Sequence, residues 1–234
     1  MTITPQVPRP RIQGLSDLIF GLALSIVAIQ FIGNLPSDSH TLGYDLLYFG
    51  FSFMILISVW NRYTSTTSAM PVERPVLVRL NILLLFFVAI EPFLLDVLFV
   101  KGLSTDVGTA ASLYYGLDIG GMNLILAYFT HILASEEKNL IPRELVGQYK
   151  TTRNLLIFAA LLFLFSDLPI FGGIFVGGTS LRVIIWVLTI PILWTQRTIQ
   201  GWFSRSRSSA APEENKVPGA KTGRRYDLEP SRGP

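Results

Sequence analysis

Four carboxyl side chains lie inside long apolar stretches of the chain, where burying a charge is costly, and the one in the fifth stretch, Asp167, is expected near the outer surface. Asp17 is near the start of the first stretch, Glu91 directly precedes Pro92 in the third, and Asp118 is near the middle of the fourth. Ionisable residues inside a membrane span commonly mark ion or proton pathways. Glu91 and Asp118 are therefore candidate proton-linked residues, although a protonated carboxyl that hydrogen-bonds a neighbouring helix explains them at least as well. For Asp17, an ion pair with an Arg side chain at the membrane edge is an equal alternative.

Residues for other kinds of chemistry are scarce. The chain has no cysteine and only two histidines, His40 and His131, which excludes thiolate chemistry and leaves too few imidazoles for a metal cage. It also lacks the Gly-x-Ser-x-Gly, His-Glu-x-x-His and phosphate-binding glycine motifs of common enzyme classes. We therefore expect a protein that is not an enzyme and that holds no metal or other cofactor.

The apolar stretches themselves predict the fold class. The chain is 50% hydrophobic and only 15% charged, whereas soluble domains are about 25% charged. Six stretches approach the roughly 20 residues that are needed to cross the hydrocarbon core of a bilayer. They lie near residues 12–32, 42–60, 76–100, 109–132, 154–171 and 174–196. The sequence thus predicts an all-α integral membrane protein with six transmembrane helices in a lipid bilayer.

The distribution of basic residues predicts how these helices are oriented. Lys and Arg are concentrated before the first stretch, in the second and fourth connections and after the last stretch, and only Lys101 and Arg182 lie on the other side. Cytoplasmic loops carry such an excess of Lys and Arg. Both termini are therefore expected to be cytoplasmic, as an even number of spans requires. Topology accounts for the net charge of +3, and we expect no nucleic-acid partner.

Composition divides the chain into three segments. Residues 1–11 are expected to be a cytoplasmic N-terminal segment, and residues 12–200 a six-helix transmembrane domain. Residues 201–234 are rich in Ser, Arg, Pro, Gly, Glu and Lys, so they cannot bury enough apolar surface to offset the entropy of an ordered chain. We expect them to form a disordered, basic cytoplasmic tail.

The first stretch has an apolar stripe when it is drawn as a helix. At about 100° per residue, Leu22, Ile26 and Ile29 fall within about 60° of one another, and Ser25 lies on their flank. Asp17 points roughly 150° away from the centre of this stripe. Contact with lipid or with a neighbouring helix explains such a stripe in most membrane spans. Periodicity alone does not assign it to a pore.

Three short motifs resemble those of the endosomal and lysosomal potassium channel family. Positions 11–17 read Arg-Ile-Gln-Gly-Leu-Ser-Asp, similar to the family's Arg-x-x-x-Phe-Ser-Asp signature. The second stretch carries Ser52-Phe53 and then Trp60, like the family's Ser-Phe…Trp pattern. The third stretch runs from Leu80-Asn81 to Pro92-Phe93, which resembles the family's Leu-Asn-Leu…Pro-Phe stretch. The matches follow the family's order over about the first hundred residues, whereas the last three stretches are similar only in number and hydrophobicity.

The chain departs from the family pattern at three positions. Leu15 replaces the Phe of the signature, which is a mild change in an apolar contact. Tyr63 stands where the family usually has His, which puts the polar contact between helices at this position in question. Glu91 stands where the family is typically apolar, which adds a carboxyl that could be linked to protons.

The resemblance implies a potassium-permeable channel, and we expect it to be a multi-pass protein of the plasma membrane. Family members of this size are homotetramers in which four copies of the first span surround a central pore. The implied aliphatic constriction falls on Leu22, followed by Ile26 and Ile29, and Ser25 matches the family's Thr or Ser near the narrow region. The residues implied to hold the inner end of the first span to its neighbours are Arg11, Leu15, Ser16, Asp17, Trp60 and Asn81.

Two alternatives make use of the intramembrane carboxyls. A proton-conducting channel or a proton-coupled secondary transporter would use Glu91 and Asp118 as relay groups. Transporters of that kind commonly have two similar halves or interrupted helices at corresponding positions. Pro92 and Pro191 interrupt the third and sixth stretches, but the chain has no convincing internal symmetry.

Overall fold

The chain forms a bundle of long helices. The computed structural model describes residues 10–33, 36–68, 70, 75–103, 105–135, 140–176, 179–191 and 193–194. The elements are α1 (Pro10–Gly33), α2 (Ser39–Thr67), α3 (Pro75–Lys101), α4 (Asp106–Ala134), α5 (Arg143–Ser166), α6 (Pro169–Gly173), β1 (Phe175–Val176), β2 (Thr179–Ser180) and α7 (Leu181–Pro191).

Side chains at the helix ends explain where two of the helices begin. Asp38 precedes α2 and accepts a hydrogen bond from the Thr41 amide at 2.8 Å, and Thr105 precedes α4 and accepts one from the Gly108 amide at 3.0 Å. Both satisfy amides that lack a partner in the first turn of a helix. The bond from the Thr41 amide lowers the pKa of Asp38 below its ordinary value of 3.8. The cap is therefore complete above that pH and is lost as the pH falls through the lowered pKa.

The first four predicted spans coincide with α1 to α4 to within a few residues, except that α2 continues to Thr67, beyond the predicted end at residue 60. Of these, α2, α3 and α4 are long and apolar enough to cross a membrane. The apolar parts of α1 and α7 are shorter in the described chain, at Gly14–Gln30 and Leu181–Pro191. The mostly helical class that the sequence predicts is thus confirmed, while the count of six spans remains a prediction.

The prediction for the fifth and sixth spans needs a correction. The fifth was expected to reach residue 171, but α5 ends at Ser166, and Pro169 begins the separate short helix α6. The sixth was expected to begin at residue 174, but β1 and β2 form an antiparallel hairpin there, and α7 begins at Leu181. The chain is therefore not strictly all-α. A proline inside a helix removes a backbone hydrogen bond, and the glycines after Pro169 favour a turn, so the sequence between α5 and α7 favours a break.

Helix α4 lies at the centre of the packing and α1 lies at its edge. Helix α4 packs against α5, α3 and α2, whereas α1 packs mainly against α3 and α2. The buried residues of α1 are Ser16, Phe20, Ala23 and Val27, which recur at helical spacing and form one face. One side of α1 therefore contacts the bundle, and the opposite side is left uncovered in a single chain.

Two of the predicted segments lie largely or wholly outside the described residues. These are the predicted tail, residues 201–234, and positions 1–9 of the N-terminal segment. Helix α1 begins at Pro10, so the last two positions of the predicted N-terminal segment are helical. The cytoplasmic location of both termini remains a prediction.

Candidate functional site

The predicted apolar stripe lies on the uncovered side of α1. Leu22 is 57% exposed and Ile29 is 60% exposed. Ser25 is also exposed, and Ile26 is half-buried. We call these four residues the α1 stripe. Leu22, Ser25 and Ile29 lie on the side opposite the buried face of α1, and Ile26 lies at its border, so the exposed part of the stripe is directed away from α2 and α3.

The hydroxyl group in the stripe is held on its own helix. Ser25 Oγ donates a hydrogen bond to the Gly21 carbonyl oxygen at 2.8 Å. The hydroxyl proton is therefore satisfied within α1, while the oxygen stays on the exposed surface. Its lone pairs add a polar spot to an otherwise aliphatic face.

The inner end of α1 is bound to α2 by two side-chain hydrogen bonds, which we call the inner contact. The hydroxyls of Ser16 and Tyr63 are 2.7 Å apart in a buried environment. Trp60 Nε1 donates to Asp17 Oδ1 at 3.0 Å. The ring of Phe20 packs on the ring of Tyr63, with their centroids 5.7 Å apart. Tyr63, the residue that departs from the family pattern, thus makes a polar contact between the two helices.

The other residues of the predicted motif network are placed differently. Asn81 is buried on α3, and its side chain lies near the Tyr63 hydroxyl. Leu15 is 53% exposed and lies on the same side of α1 as Leu22, away from the inner contact. Arg11 lies in the first turns of α1, but its side chain is outside the part of the chain that the structure describes.

The outer end of α1 has a contact of its own, which the motifs did not predict. Gln30 Nε2 donates to the carbonyl oxygen of Pro92, on α3, at 3.1 Å. We call this the outer contact. A polar amide near the end of an apolar span was a signal that could have drawn attention to Gln30.

Glu91 lies in a buried polar cluster between three helices. Its carboxyl is fully buried, and Ser52 Oγ, on α2, lies 2.9 Å from both carboxyl oxygens. The Tyr115 hydroxyl, on α4, donates to Glu91 Oε1 at 3.1 Å. The carboxyl therefore joins α2, α3 and α4 through hydrogen bonds to neutral hydroxyls.

Asp118 lies beside this cluster, one helical turn after Tyr115. It is 3% exposed and interacts electrostatically with Glu91. Within the described residues, neither of its carboxyl oxygens has a hydrogen-bond partner. The structure thus brings the two predicted proton-linked carboxyls together. We call Ser52, Glu91, Tyr115 and Asp118 the carboxyl cluster.

Residues 11–92 match the profile of the family described as "Endosomal/lysosomal potassium channel TMEM175". The chain resembles TMEM175. The matched segment begins in the first turn of α1, ends at Pro92, and contains the α1 stripe and the inner contact. The resemblance read from the three sequence motifs is confirmed, and the family is one of ion channels and not of enzymes.

The fold supports the same resemblance. The chain is similar to the crystal structure of a lysosomal potassium-selective channel TMEM175 homolog from Chamaesiphon minutus, with a TM-score of 0.55 and 19% sequence identity. The superposition covers 80% of this chain and 96% of that one. A comparison with curated protein sequences found no match.

Arg182 lies outside the segment that matches TMEM175. The sequence predicted only that it lies on the side of the membrane opposite the termini. It is 2% exposed at the start of α7. Its guanidinium donates to the carbonyl oxygens of Ser166 and Asp167 at 2.8 and 3.2 Å and to the Ser112 hydroxyl. Trp186 Nε1 adds a bond to Ser166 Oγ at 2.7 Å. Arg182 therefore joins α7 to the last carbonyls of α5 and to α4.

Proposed function

We propose that the chain forms a potassium-permeable cation channel whose pore is lined by α1 of each subunit. The observation that carries the proposal is the match of residues 11–92 to a potassium channel family. The exposure of Leu22 and Ile29 on the side of α1 that faces away from its own bundle supports α1 as the pore helix. A helix in that position can meet copies of itself around an axis.

The proposed assembly is a homotetramer in the plasma membrane, with both termini in the cytoplasm. Four α1 helices would present four stripes to a common centre, with rings of Leu22, Ile26 and Ile29 stacked along the pore. Potassium is the permeant ion, and the proposal requires no cofactor and no nucleic acid.

An aliphatic ring can control conduction without coordinating the ion. When the ring is narrow, water leaves it, and an ion would have to lose its hydration shell with no ligand to replace it. When the ring widens, a partly hydrated monovalent cation passes. Potassium holds its water less tightly than sodium does, so a partly dehydrating constriction favours potassium.

The inner contact supports this orientation of the stripe. The Ser16–Tyr63 bond and the packing of Phe20 on Tyr63 fix one face of α1 against α2. Because residues on opposite faces of a helix move together, fixing the buried face also fixes the direction of the stripe. The motif residues thus set the geometry of the pore without touching the ion.

The test is potassium flux from liposomes that contain the purified protein. We expect Leu22→Ala to widen the constriction, raise potassium flux and lower the preference for potassium over sodium. Leu46→Ala is the matched control, because Leu46 is a similarly exposed leucine on α2. The proposal is overturned if the wild-type protein shows no uncoupled potassium flux. It is also overturned if Leu22→Ala leaves the preference for potassium over sodium unchanged.

The carboxyl cluster supports a second candidate function. Glu91 and Asp118 lie together within the bundle, with the Tyr115 hydroxyl bonded to Glu91. Intramembrane carboxyls commonly serve as proton relays, so a proton-conducting channel or a proton-coupled transporter is the alternative. Its signature would be flux that is driven by a pH gradient and that depends on these two carboxyls.

A further inference from the structure

The described part of α1 is hydrogen-bonded to its own bundle at two levels. At the inner level, Ser16 and Asp17 are bonded to α2, and at the outer level Gln30 is bonded to α3. The buried residues between the two levels are Phe20, Ala23 and Val27, which are apolar. Apolar packing is non-directional, whereas a hydrogen bond is directional. The two polar levels therefore define the rotation of the helix.

We propose that Gln30 is a positioning residue that sets the outer half of α1, and with it the Ile29 ring, against α3. The inference rests on the proposed pore and adds a residue that controls its geometry. Adjacent helical residues point about 100° apart. With the Gln30 amide held on the Pro92 carbonyl, Ile29 is held on the uncovered side of α1, where it is 60% exposed.

The acceptor of this bond belongs to a level of the bundle at which three helices are cross-linked. Pro92 directly follows Glu91, whose carboxyl is bonded to Ser52 on α2 and to Tyr115 on α4. The segment of α3 that receives the Gln30 amide is therefore tied to two further helices. In addition to the apolar packing of α1, this amide links the outer half of the helix to a segment that is bonded to α2 and α4.

This arrangement predicts energetic coupling between Gln30 and the carboxyl cluster. Removing the Ser52 hydroxyl takes away its bonds to Glu91, and we expect this to shift the Pro92 carbonyl, to which Gln30 is the bonded side chain of α1. Ser52→Ala should therefore change ion flux in the wild-type background and change it much less when Gln30 has already lost its donor. Non-additive effects of two substitutions on ion flux indicate that the two residues act through the same contact.

The experiment compares Gln30→Met with the wild-type protein in liposomes. Methionine keeps the length of the side chain and removes the donor. We expect the potassium-to-sodium flux ratio to fall about threefold, which is equivalent to roughly 0.6 kcal/mol. The oligomer size in detergent should not change. Gln148→Met is the matched control, because Gln148 is an exposed amide on α5.

A labelling measurement gives a second readout that does not depend on flux. The chain contains no cysteine, so Ile29→Cys introduces a single thiol. Its rate of modification by a water-soluble thiol reagent reports how far position 29 is open to the aqueous pore. We expect Gln30→Met to change this rate, while Gln148→Met leaves it unchanged. Gln30→Asn, whose amide is one methylene too short, should act in the same direction as Gln30→Met and replaces it if that variant does not assemble.

The outcomes separate the two proposals when Leu22→Ala is measured alongside. If Leu22→Ala alters ion preference but the Gln30 variants match the wild type in flux ratio and labelling rate, Gln30 has no positioning role. If Leu22→Ala and the Gln30 variants are all without effect, the pore itself is wrongly assigned, and the inference is overturned with it. Additive effects of Ser52→Ala and Gln30→Met would overturn the link to the carboxyl cluster.

Discussion

The hydroxyl of Tyr63 lies 2.7 Å from the hydroxyl of Ser16, across the interface between α2 and α1. Both residues are buried, and the Tyr63 ring also packs on Phe20 one helical turn further along α1. A single aromatic residue on α2 thus supplies a polar and an apolar contact to the face of α1 opposite Leu22. The rotation of α1 at its inner end depends on this side chain.

Replacing Tyr63 with Phe tests the polar half of this contact. Tyr63→Phe keeps the ring and removes the hydroxyl, so we expect a loss of about 0.5–1.5 kcal/mol of stability, the net contribution of a typical hydrogen bond. Thermal unfolding of the purified protein in detergent measures it. Tyr114→Phe is the control, because Tyr114 is 62% exposed. If Tyr63→Phe and Tyr114→Phe lose the same stability, the Ser16–Tyr63 hydrogen bond contributes no stability beyond the packing of the Tyr63 ring.

The bond between Asp17 and Trp60 is best tested by a double-mutant cycle. Asp17→Ala removes the acceptor of the indole N–H, and Trp60→Phe removes the donor while keeping an aromatic ring. We expect each variant to reduce the yield of assembled oligomer, and the double variant to be no worse than the more damaging single one. Oligomer yield after size-exclusion chromatography measures this. Normal oligomers and normal potassium flux in Asp17→Ala would remove Asp17 from the structural network.

The sequence predicted the positions of α1 to α4 because each is a long apolar stretch with clear ends. It also predicted the polar residues near the start of α1, because Ser16 and Asp17 form part of a recognisable motif. The helical wheel of α1 separated Leu22 from Asp17, and the structure has the stripe on the uncovered side. These features depend on local periodicity, which a single sequence contains.

The contacts that the sequence could not predict are those between distant residues. The Gln30 amide meets the Pro92 carbonyl across 62 positions, and the Arg182 guanidinium meets the Ser112 hydroxyl across 70. Periodicity states which face of a helix is apolar, but not which neighbour covers it. The sequence predicts Arg182 only as a charge on the outer side; its burial depends on contacts with α4 and α5 that the sequence does not show. The hairpin of β1 and β2 was missed because its strands are only two residues long.

The carboxyl cluster leads to a prediction about the pH dependence of transport. If Glu91 exchanges a proton during the transport cycle, Glu91→Gln removes the exchanging group and keeps the shape of the side chain. We expect a flatter dependence of ion flux on pH, and the same direction of change for Asp118→Asn. Flux from liposomes over a series of symmetric pH values measures this. The control must be an exposed carboxyl on the same helix. A buried position such as Asn123, whose amide is bonded within α4, does not meet this requirement.

A better control for the pH profile is Asp106→Asn. Asp106 is an exposed carboxyl in the first turn of the same helix as Asp118, so it tests the effect of removing a carboxylate from α4 outside the carboxyl cluster. Its profile should follow that of the wild type. If the Glu91→Gln profile is superimposable on the wild-type profile as well, Glu91 is a structural hydrogen-bonding group that joins α2, α3 and α4.

Arg182 gives the strongest prediction for stability outside the pore helix. Its planar guanidinium donates in different directions to Ser112, Ser166 and Asp167, and a lysine ammonium on a flexible stem cannot reproduce that geometry. We expect both Arg182→Lys and Arg182→Met to destabilise the protein, since each leaves buried acceptors without this donor, at a cost of about 1–3 kcal/mol per unsatisfied group.

The matched control for Arg182 is Lys101→Met. Lys101 is the other basic residue that the sequence assigns to the same side of the membrane, and it is exposed at the end of α3. Thermal unfolding of the three variants in detergent should place Arg182→Met and Arg182→Lys well below the wild type and Lys101→Met close to it. If Arg182→Lys unfolds at the wild-type temperature, the positive charge and not the forked donor geometry holds α7 on α5. If Arg182→Met does so as well, the Trp186–Ser166 bond and apolar packing are sufficient to hold it.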